Sequence, residues 1–231
     1  AQKHDLSTVE IIAYGAEAMP QKVLNRLAKV FPNAQLQQKF GTSETGAIRI
    51  KSVGNESLFF RIEDSDTQWK IVEEELWLKT PSRVVGYLNA DDVGLEADGW
   101  YRTGDLVEID DHDNLRIIGR ASAVINVGGQ KVHPSEVEAI IGEIEGIETV
   151  NIYAMEAPVT GSAVACEIVV SGDEGSRVWK RIIRNHCRGK LAPWKIPSSV
   201  KIVDSMSVNI RMKKSSSLEQ SRNSPQSPEH P

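Results

Sequence analysis

Residues 39–46, KFGTSETG, set Gly41, Thr42, Ser43, Thr45 and Gly46 around one acid, Glu44. Loops rich in glycine and hydroxyls cradle anions such as phosphate, and a bare carboxylate there would repel one. The acid makes sense if a divalent cation lies between. Mg²⁺ is held by one or two carboxylates together with substrate phosphate oxygens. The stretch then reads as a Mg–nucleotide site with Thr42 and Ser43 donating to phosphate. A solvated turn capped by a hydroxyl is the alternative.

Further stretches offer related chemistry. In DGWYRTGDL, 98–106, Asp105 follows a glycine and precedes an expected strand. An acid so placed can accept hydrogen bonds from two vicinal ribose hydroxyls, or it is a plain turn aspartate. In GRASAVINVGGQKVHPSEVE, 119–138, Arg120 can pair with ribose or phosphate. Gly128 and Gly129 allow close backbone approach, with Lys131 beside them; a β-hairpin turn with exposed basic residues fits as well. In 191–216 two prolines frame a segment, a strand follows, and a loop ends in Lys213 and Lys214. A mobile lysine suits charge developing on a phosphoryl group, though such a pair is also what a solvated terminus shows.

The elements that must hold these residues change character along the chain. Residues 9–14 read as a buried strand, 20–31 as a helix with Val23, Leu27 and Val30 on one face, and Leu36 to Phe40 as a second strand running into the glycine loop. A ligand loop at the carboxyl end of a strand is usual in α/β folds. Short strand-like runs follow at Leu58–Ile62, Trp69–Val72, Glu75–Lys79, Leu106–Ile109 and Leu115–Ile118. From about 121 the pattern is a small α+β domain. Residues 135–144 form a helix with a Ser135–Glu138 capping box, 149–155 and 162–170 are strands, 176–191 is a helix, and 198–204 is a last strand. The fold class is α/β plus α+β: the end of a large α/β N-terminal domain with a β-rich subdomain, then a small α+β C-terminal domain. The expected boundaries are 1–120, 121–214 and a Ser/Pro-rich tail, 215–231, with too little apolar content to order.

Composition bounds the function. The 231 residues are 40% hydrophobic and carry a net charge of −5, with mean hydropathy −0.31 and pI about 5.6. No basic excess offers a footprint for nucleic acid, and no apolar run approaches the roughly 18 residues a membrane span needs. Cys166 and Cys187 lack metal-ligand spacing and read as free thiols of a reducing, cytoplasmic compartment. The chain lacks an initiator Met and opens almost at once on a strand, the look of a piece of something longer.

Taken in order, YGAEAMP, KFGTSETG, EEELWLKTPSRVVGYLN, GWYRTGDL, GRASAVINVGGQKVHPSEVE and the proline-framed lysine segment resemble the later motifs of the adenylate-forming superfamily. That family holds acyl- and aryl-CoA synthetases, adenylation domains of nonribosomal peptide synthetases, and luciferases. The resemblance covers nearly all of 9–214. It implies that Gly15, Ala16 and Glu17 line the adenine, that Phe40 beside Gly41 stacks on it, and that Thr42 and Ser43 face phosphate. Glu44 would hold Mg²⁺, and Asp105 would bind the ribose with Arg120 assisting. Lys213 would bridge carboxylate and phosphate. Gly128, Gly129 and Lys131 would serve the thiol half-reaction, reached by rotation of the small domain about its hinge.

The implied chemistry is attack of a carboxylate on the α-phosphate of ATP, giving acyl-AMP and pyrophosphate. Displacement of AMP by a thiol follows, that of coenzyme A or of a carrier-protein pantetheine. Several positions depart from the family pattern. No stretch resembles the family's phosphate loop ending in Lys-Gly, so the expected partner is the missing N-terminal half of the same enzyme, and the chain by itself is expected to be incomplete as a ligase. Ser122 stands at the hinge position, and Met212 precedes Lys213, so that Lys214 is a second candidate; the spacing from Asn209 favours Lys213. Lys39 stands where the family usually has a small or neutral residue of the acyl pocket; pointing inward, it would favour a second anionic group on the substrate. A non-catalytic relative that binds nucleotide or a protein partner is the reading from another class.

Overall fold

The computed structural model describes residues 4–88 and 94–206. Lys213, Lys214, Asn209, Met212 and the 215–231 tail lie outside the described residues. The chain divides into two compact units, Ala1–Ala123 and Val124–Pro231.

The first unit opens with strand β1 (Ile11–Tyr14), helix α1 (Gln21–Val30) and strand β2 (Gln35–Gln38). β1 and β2 pair in parallel, Ile11 opposite Gln35 and Tyr14 opposite Gln38. Pro20 stands at the helix N-cap with extended backbone, and Phe31–Pro32 follow its end, because proline cannot donate into a continuing helix. The expected apolar face of α1 is rotated in the structure. Leu24 is fully buried, whereas Val23 and Val30 are exposed. The expected strand Leu36–Phe40 is split at Lys39: β2 stops at Gln38, and β3 (Phe40–Thr42) turns back antiparallel onto β4 (Gly46–Ile48). The glycine loop is thus the tip of a hairpin.

A six-stranded antiparallel sheet follows. It is built from β5 (Ile50–Ser52), β6 (Phe60–Ile62), β7 (Gln68–Val72), β8 (Glu75–Lys79), β9 (Tyr101–Ile109) and β10 (Leu115–Arg120), in the order β5-β6-β10-β9-β8-β7. Ile48, Phe60, Leu76, Leu78, Val107 and Leu115 are its core. β9 is longer than the sequence suggests. Asp105 lies inside it, opposite Arg120 of β10; the β9–β10 register shifts between Ile117 and Gly119, the β8–β9 register shifts between Arg102 and Leu106, and Gly104 there has φ +70. β2 does not pair with this sheet through its backbone. Side chains stitch the two instead: Leu36 N–H donates to Asn55 Oδ1 (2.8 Å), Gln38 N–H to Ser52 Oγ (2.8 Å), and Asn55 Nδ2 to the Ala34 carbonyl (2.8 Å).

The second unit carries a two-stranded hairpin, β11 (Ile125–Val127) and β12 (Gln130–Val132). Helix α2 (Pro134–Gly142) and long strands β13 (Ile147–Ala157) and β14 (Gly161–Val170) come next, then α3 (Ser176–Cys187) and β15 (Ser199–Ile202). β13 and β14 are antiparallel, and β14 and β15 are parallel. Val137, Ile141, Ile152, Val164, Ile168, Trp179 and Ile183 fill the core, and both cysteines are buried in it.

Two helix boundaries differ from expectation. α2 starts at Pro134, with His133 as an N-cap making no side-chain cap bond, because proline's fixed φ suits the first helical position. Glu138 of the expected capping box accepts from the Ile152 N–H of β13 (3.0 Å). α3 ends at Cys187 rather than 191; Arg188 is extended and Gly189 has φ +80. At the end of α2, a Cβ built on Gly142 meets nothing within 4 Å among the described residues, and φ there is ordinary. Gly142→Ala is therefore expected to stabilise this unit by about 0.5–1 kcal/mol through the unfolded chain, read as a raised denaturant midpoint.

Candidate functional site

The hairpin tip is built by its own hydroxyls. Thr42 Oγ1 accepts from the Glu44 N–H (3.2 Å) and the Thr45 N–H (3.1 Å), and lies 3.1 Å from Thr45 Oγ1. Thr45 is fully buried, whereas Ser43 is exposed. A Cβ on Gly41 would stand 2.4 Å from the Gly46 carbonyl oxygen, so the two strands cross where only glycine fits. Gly15 plays the same part beside β2: its Cβ would meet the Lys39 carbonyl oxygen at 2.6 Å, and Lys39 N–H donates to the Tyr14 carbonyl at 2.7 Å. The Gly15–Ala16–Glu17 turn and the KFG segment thus lie together at the carboxyl ends of β1 and β2. Ala16 holds φ +68, a conformation alanine rarely adopts. Phe40 is half-buried, its ring 5.6 Å from that of Phe60. Lys39 is exposed and donates to Gln37 Oε1 (3.1 Å).

The Glu44 carboxylate accepts from the Tyr87 hydroxyl at Oε1. Burial pushes its carboxyl up, but hydrogen bonds from Tyr87, its own N–H, Thr42 and Tyr101 outweigh that and hold it below the ordinary value. Tyr101, 7% exposed, is pushed up to about 12 by burial, by the charge of Glu44 and by the hydrogen bond to it. Neither tyrosine was singled out from the sequence, although both sit in stretches that drew notice, VVGYLN and GWYRTGDL. An isolated aromatic in a motif is read as core unless a partner acid is known to face it.

The neutral phenol of Tyr101 is favoured by the fold, because its folded value lies above the ordinary 10.0. That contribution is fully present below pH 10 and lost as pH rises through about 12. Tyr101→Phe should therefore flatten the alkaline fall in denaturant midpoint across that window.

Four residues along β9, Asp105 is 7% exposed. Arg120 Nε stands 3.0 Å from Asp105 Oδ1, and Arg120 Nη1 donates to the Thr103 carbonyl (2.6 Å). Thr103 Oγ1 donates to the Leu76 carbonyl (2.6 Å) and accepts from the Asp105 N–H (3.0 Å), fixing the acid's backbone. In the first unit, then, the Gly15–Glu17 and Phe40–Glu44 segments adjoin, and β9 carries both Tyr101, bonded to Glu44, and Asp105, paired with Arg120.

In the second unit Gly128 (φ +57) and Gly129 (φ +87) form the β11–β12 turn, the double positive φ that a tight hairpin demands. Gly128 N–H donates to the Thr160 carbonyl (3.1 Å) and Gly129 N–H to Asn126 Oδ1 (2.8 Å), with Lys131 exposed. Lys213 lies outside the described residues.

Among the described residues no three His, Cys, Asp or Glu side chains gather as a ready metal cage. A single ionised carboxylate beside hydroxyls fits Mg²⁺ of the kind that arrives on a nucleotide and keeps phosphate and water ligands. No helix among them is long and apolar enough to cross a membrane.

Residues 136–213 match the model of the AMP-binding enzyme C-terminal domain. A 2-succinylbenzoate–CoA ligase of Listeria innocua is 32% identical over 179 residues, covering 73% of this chain and 37% of the relative. A 4-coumarate–CoA ligase of Arabidopsis thaliana is 28% identical over 194 residues, covering 74% and 35%. The chain thus spans little more than a third of the length of these curated relatives. Among solved structures, the amide bond synthetase McbA of Marinactinospora thermotolerans superposes with TM-score 0.76 at 20% identity, covering 96% of this chain and 49% of that one. At that identity the likeness is one of fold.

Proposed function

We propose that this chain, which belongs to the adenylate-forming enzymes, supplies the nucleotide-binding part of an AMP-forming acyl- or aryl-CoA ligase. A carboxylate is a poor acyl donor because its leaving group would be oxide. Transfer to the α-phosphate of ATP expels pyrophosphate and makes AMP the leaving group, which a thiol then displaces. The protein's share is to position the groups and balance charge.

The observation that carries this reading is strand β9. At one end Tyr101 bonds to Glu44, and four residues further along, beyond the bulge at Gly104, the Asp105 carboxylate faces Arg120. A nucleoside triphosphate bridges such an interval with its ribose at the acid and its phosphates at the hairpin. Asp105 takes the two ribose hydroxyls, and Arg120 holds the carboxylate in place. Gly15, Ala16 and Glu17, with Phe40, border the base, and Ser43 and Thr42 border the phosphates. Glu44 holds Mg²⁺, whose charge offsets that of the phosphates when bound. Lys213, or Lys214, neutralises the carboxylate and α-phosphate oxygens.

For the thiol step the Gly128–Gly129 turn, having no side chains, lets a pantetheine arm come close to the backbone, and Lys131 offers charge to the phosphates of coenzyme A. The names of the relatives favour coenzyme A over a carrier protein as acceptor. The remainder of the active centre, with most of the acyl pocket, belongs to a region corresponding to the first part of the relatives, and the whole reaction needs it. The buried thiols suit a reducing cytoplasm.

Calorimetric titration of the chain with AMP and with Mg–ATP tests the reading. Saturable binding of both is expected. A folded chain that takes up neither would favour the non-catalytic reading.

A further inference from the structure

Segment 82–88 crosses the hairpin tip and touches it at a few points. Ser82 Oγ donates to the Thr45 carbonyl (2.8 Å), Val84 N–H donates to the Glu44 carbonyl (2.7 Å), and the Tyr87 hydroxyl donates to Glu44 Oε1. Val85 and Leu88 are fully exposed, Tyr87 is 52% exposed, and the Cβ position of Gly86 meets nothing within 4 Å among the described residues. Tyr101, nearly buried on β9, bonds to the same carboxylate.

We propose that Tyr87 is a displaceable cap on Glu44. Its phenol holds the carboxylate oxygen that a nucleotide-borne divalent cation would take, and it leaves with segment 82–88 when the cation arrives, while Tyr101 stays and aims the acid. The proposal rests on the reading of Glu44 as a cation ligand. Its physical content is an exchange. The O–H of Tyr87 donates to Oε1, so hydrogen and metal compete for the same lone pair. The two tyrosines therefore act on the cation with opposite sign. Losing the Tyr87 hydroxyl removes a bond made only in the cation-free state and tightens binding. Losing the Tyr101 hydroxyl removes a bond made in both states and lets the acid wander, which weakens binding.

The test compares ATP affinity with Mg²⁺ and with a chelator for the unaltered chain, Tyr87→Phe and Tyr101→Phe, with Glu44→Gln as the reference for a lost ligand. The expected result is that Tyr87→Phe tightens Mg–ATP roughly three- to tenfold, the range of one ordinary net hydrogen bond in an exposed setting, and leaves chelated ATP unchanged, while Tyr101→Phe weakens Mg–ATP. Equal Mg–ATP affinity of Tyr87→Phe and the unaltered chain overturns the cap. A chain that takes up ATP in neither condition counts against the nucleotide reading above, and the cap is then decided without nucleotide. Isotope-labelled glutamate lets the Glu44 carboxyl be followed by NMR, with Glu44→Gln identifying its signal. Under the proposal, added Mg²⁺ shifts that signal at lower concentration in Tyr87→Phe than in the unaltered chain. An unchanged response to Mg²⁺ overturns it.

Discussion

Asp105→Ala is expected to abolish saturable binding of AMP, with a loss of at least about 100-fold in affinity. The acid is nearly buried, its backbone is fixed by Thr103, and its Oδ1 lies 3.0 Å from Arg120 Nε. A carboxylate so held offers two aligned acceptors to vicinal hydroxyls. Hydrogen bonds to a charged group contribute about 1.5–3 kcal/mol each, so losing both removes on the order of 3 kcal/mol or more. The effect on folding should be small by comparison. Arg120 is half exposed and keeps its bond to the Thr103 carbonyl, so the ion pair itself contributes less than about 1 kcal/mol. Calorimetry with AMP, alongside circular dichroism, separates the two effects. Asp105→Asn should fall between, since it keeps the shape and one acceptor but loses the charge. An alanine variant that binds AMP like the unaltered chain would remove Asp105 from the ribose site.

Gly41→Ala has the next largest expected effect, and it acts on the fold. The new methyl would stand 2.4 Å from the Gly46 carbonyl oxygen and 2.9 Å from Ala47 Cα. Both are backbone atoms of the facing strand and cannot swing aside. Forcing them apart should cost about 3 kcal/mol and part the β3–β4 pair. The loss would reach the site as well, because Thr42, Glu44 and Thr45 hold one another only within that turn. A lower denaturant midpoint for the first unit, with weakened Mg–ATP binding, is the expected pair of observations. Gly54→Ala is the matched control: nothing lies within 4 Å of its Cβ position among the described residues. Equal midpoints for the two variants would show that the hairpin does not cross where the structure has it.

Much of the architecture was legible in the sequence because local chemistry dictates it. The change from an α/β opening to short strands to a small α+β domain follows from where apolar spacing switches between periods. Glycine pairs, prolines and Asx turns mark the joins. Boundaries were less legible where a tertiary contact overrides a local preference. Pro134 takes the first helical position ahead of Ser135, and Glu138 is drawn to β13. Lys39 breaks a run that looked like one strand, because Gly15 presses against its carbonyl. The site divides in the same way. Glu44, the one acid in its loop, and Asp105 and Arg120, each directly after a glycine, could be proposed from the sequence. That Asp105 and Arg120 face each other depends on the β9–β10 register, with its irregularity at Gly119. Tyr87 and Tyr101 could not be named, since their role exists only through a carboxylate distant in sequence, 43 residues away for Tyr87.

The stitching of β2 by Asn55 and Ser52 has a mechanical consequence. A ladder of backbone hydrogen bonds is made by every residue of both strands and resists parting as a whole. Here the border between the parallel pair and the antiparallel sheet consists of a few separate rivets, each set by one side chain on the stretch from β5 to β6. Such a seam is compliant. The carboxyl ends of β1 and β2, with the Gly15 turn and the KFG segment, can tilt by a fraction of a bond length against the sheet that carries Asp105 without breaking a strand. One rim of the proposed nucleotide site can thus adjust to its occupant while the other stays fixed.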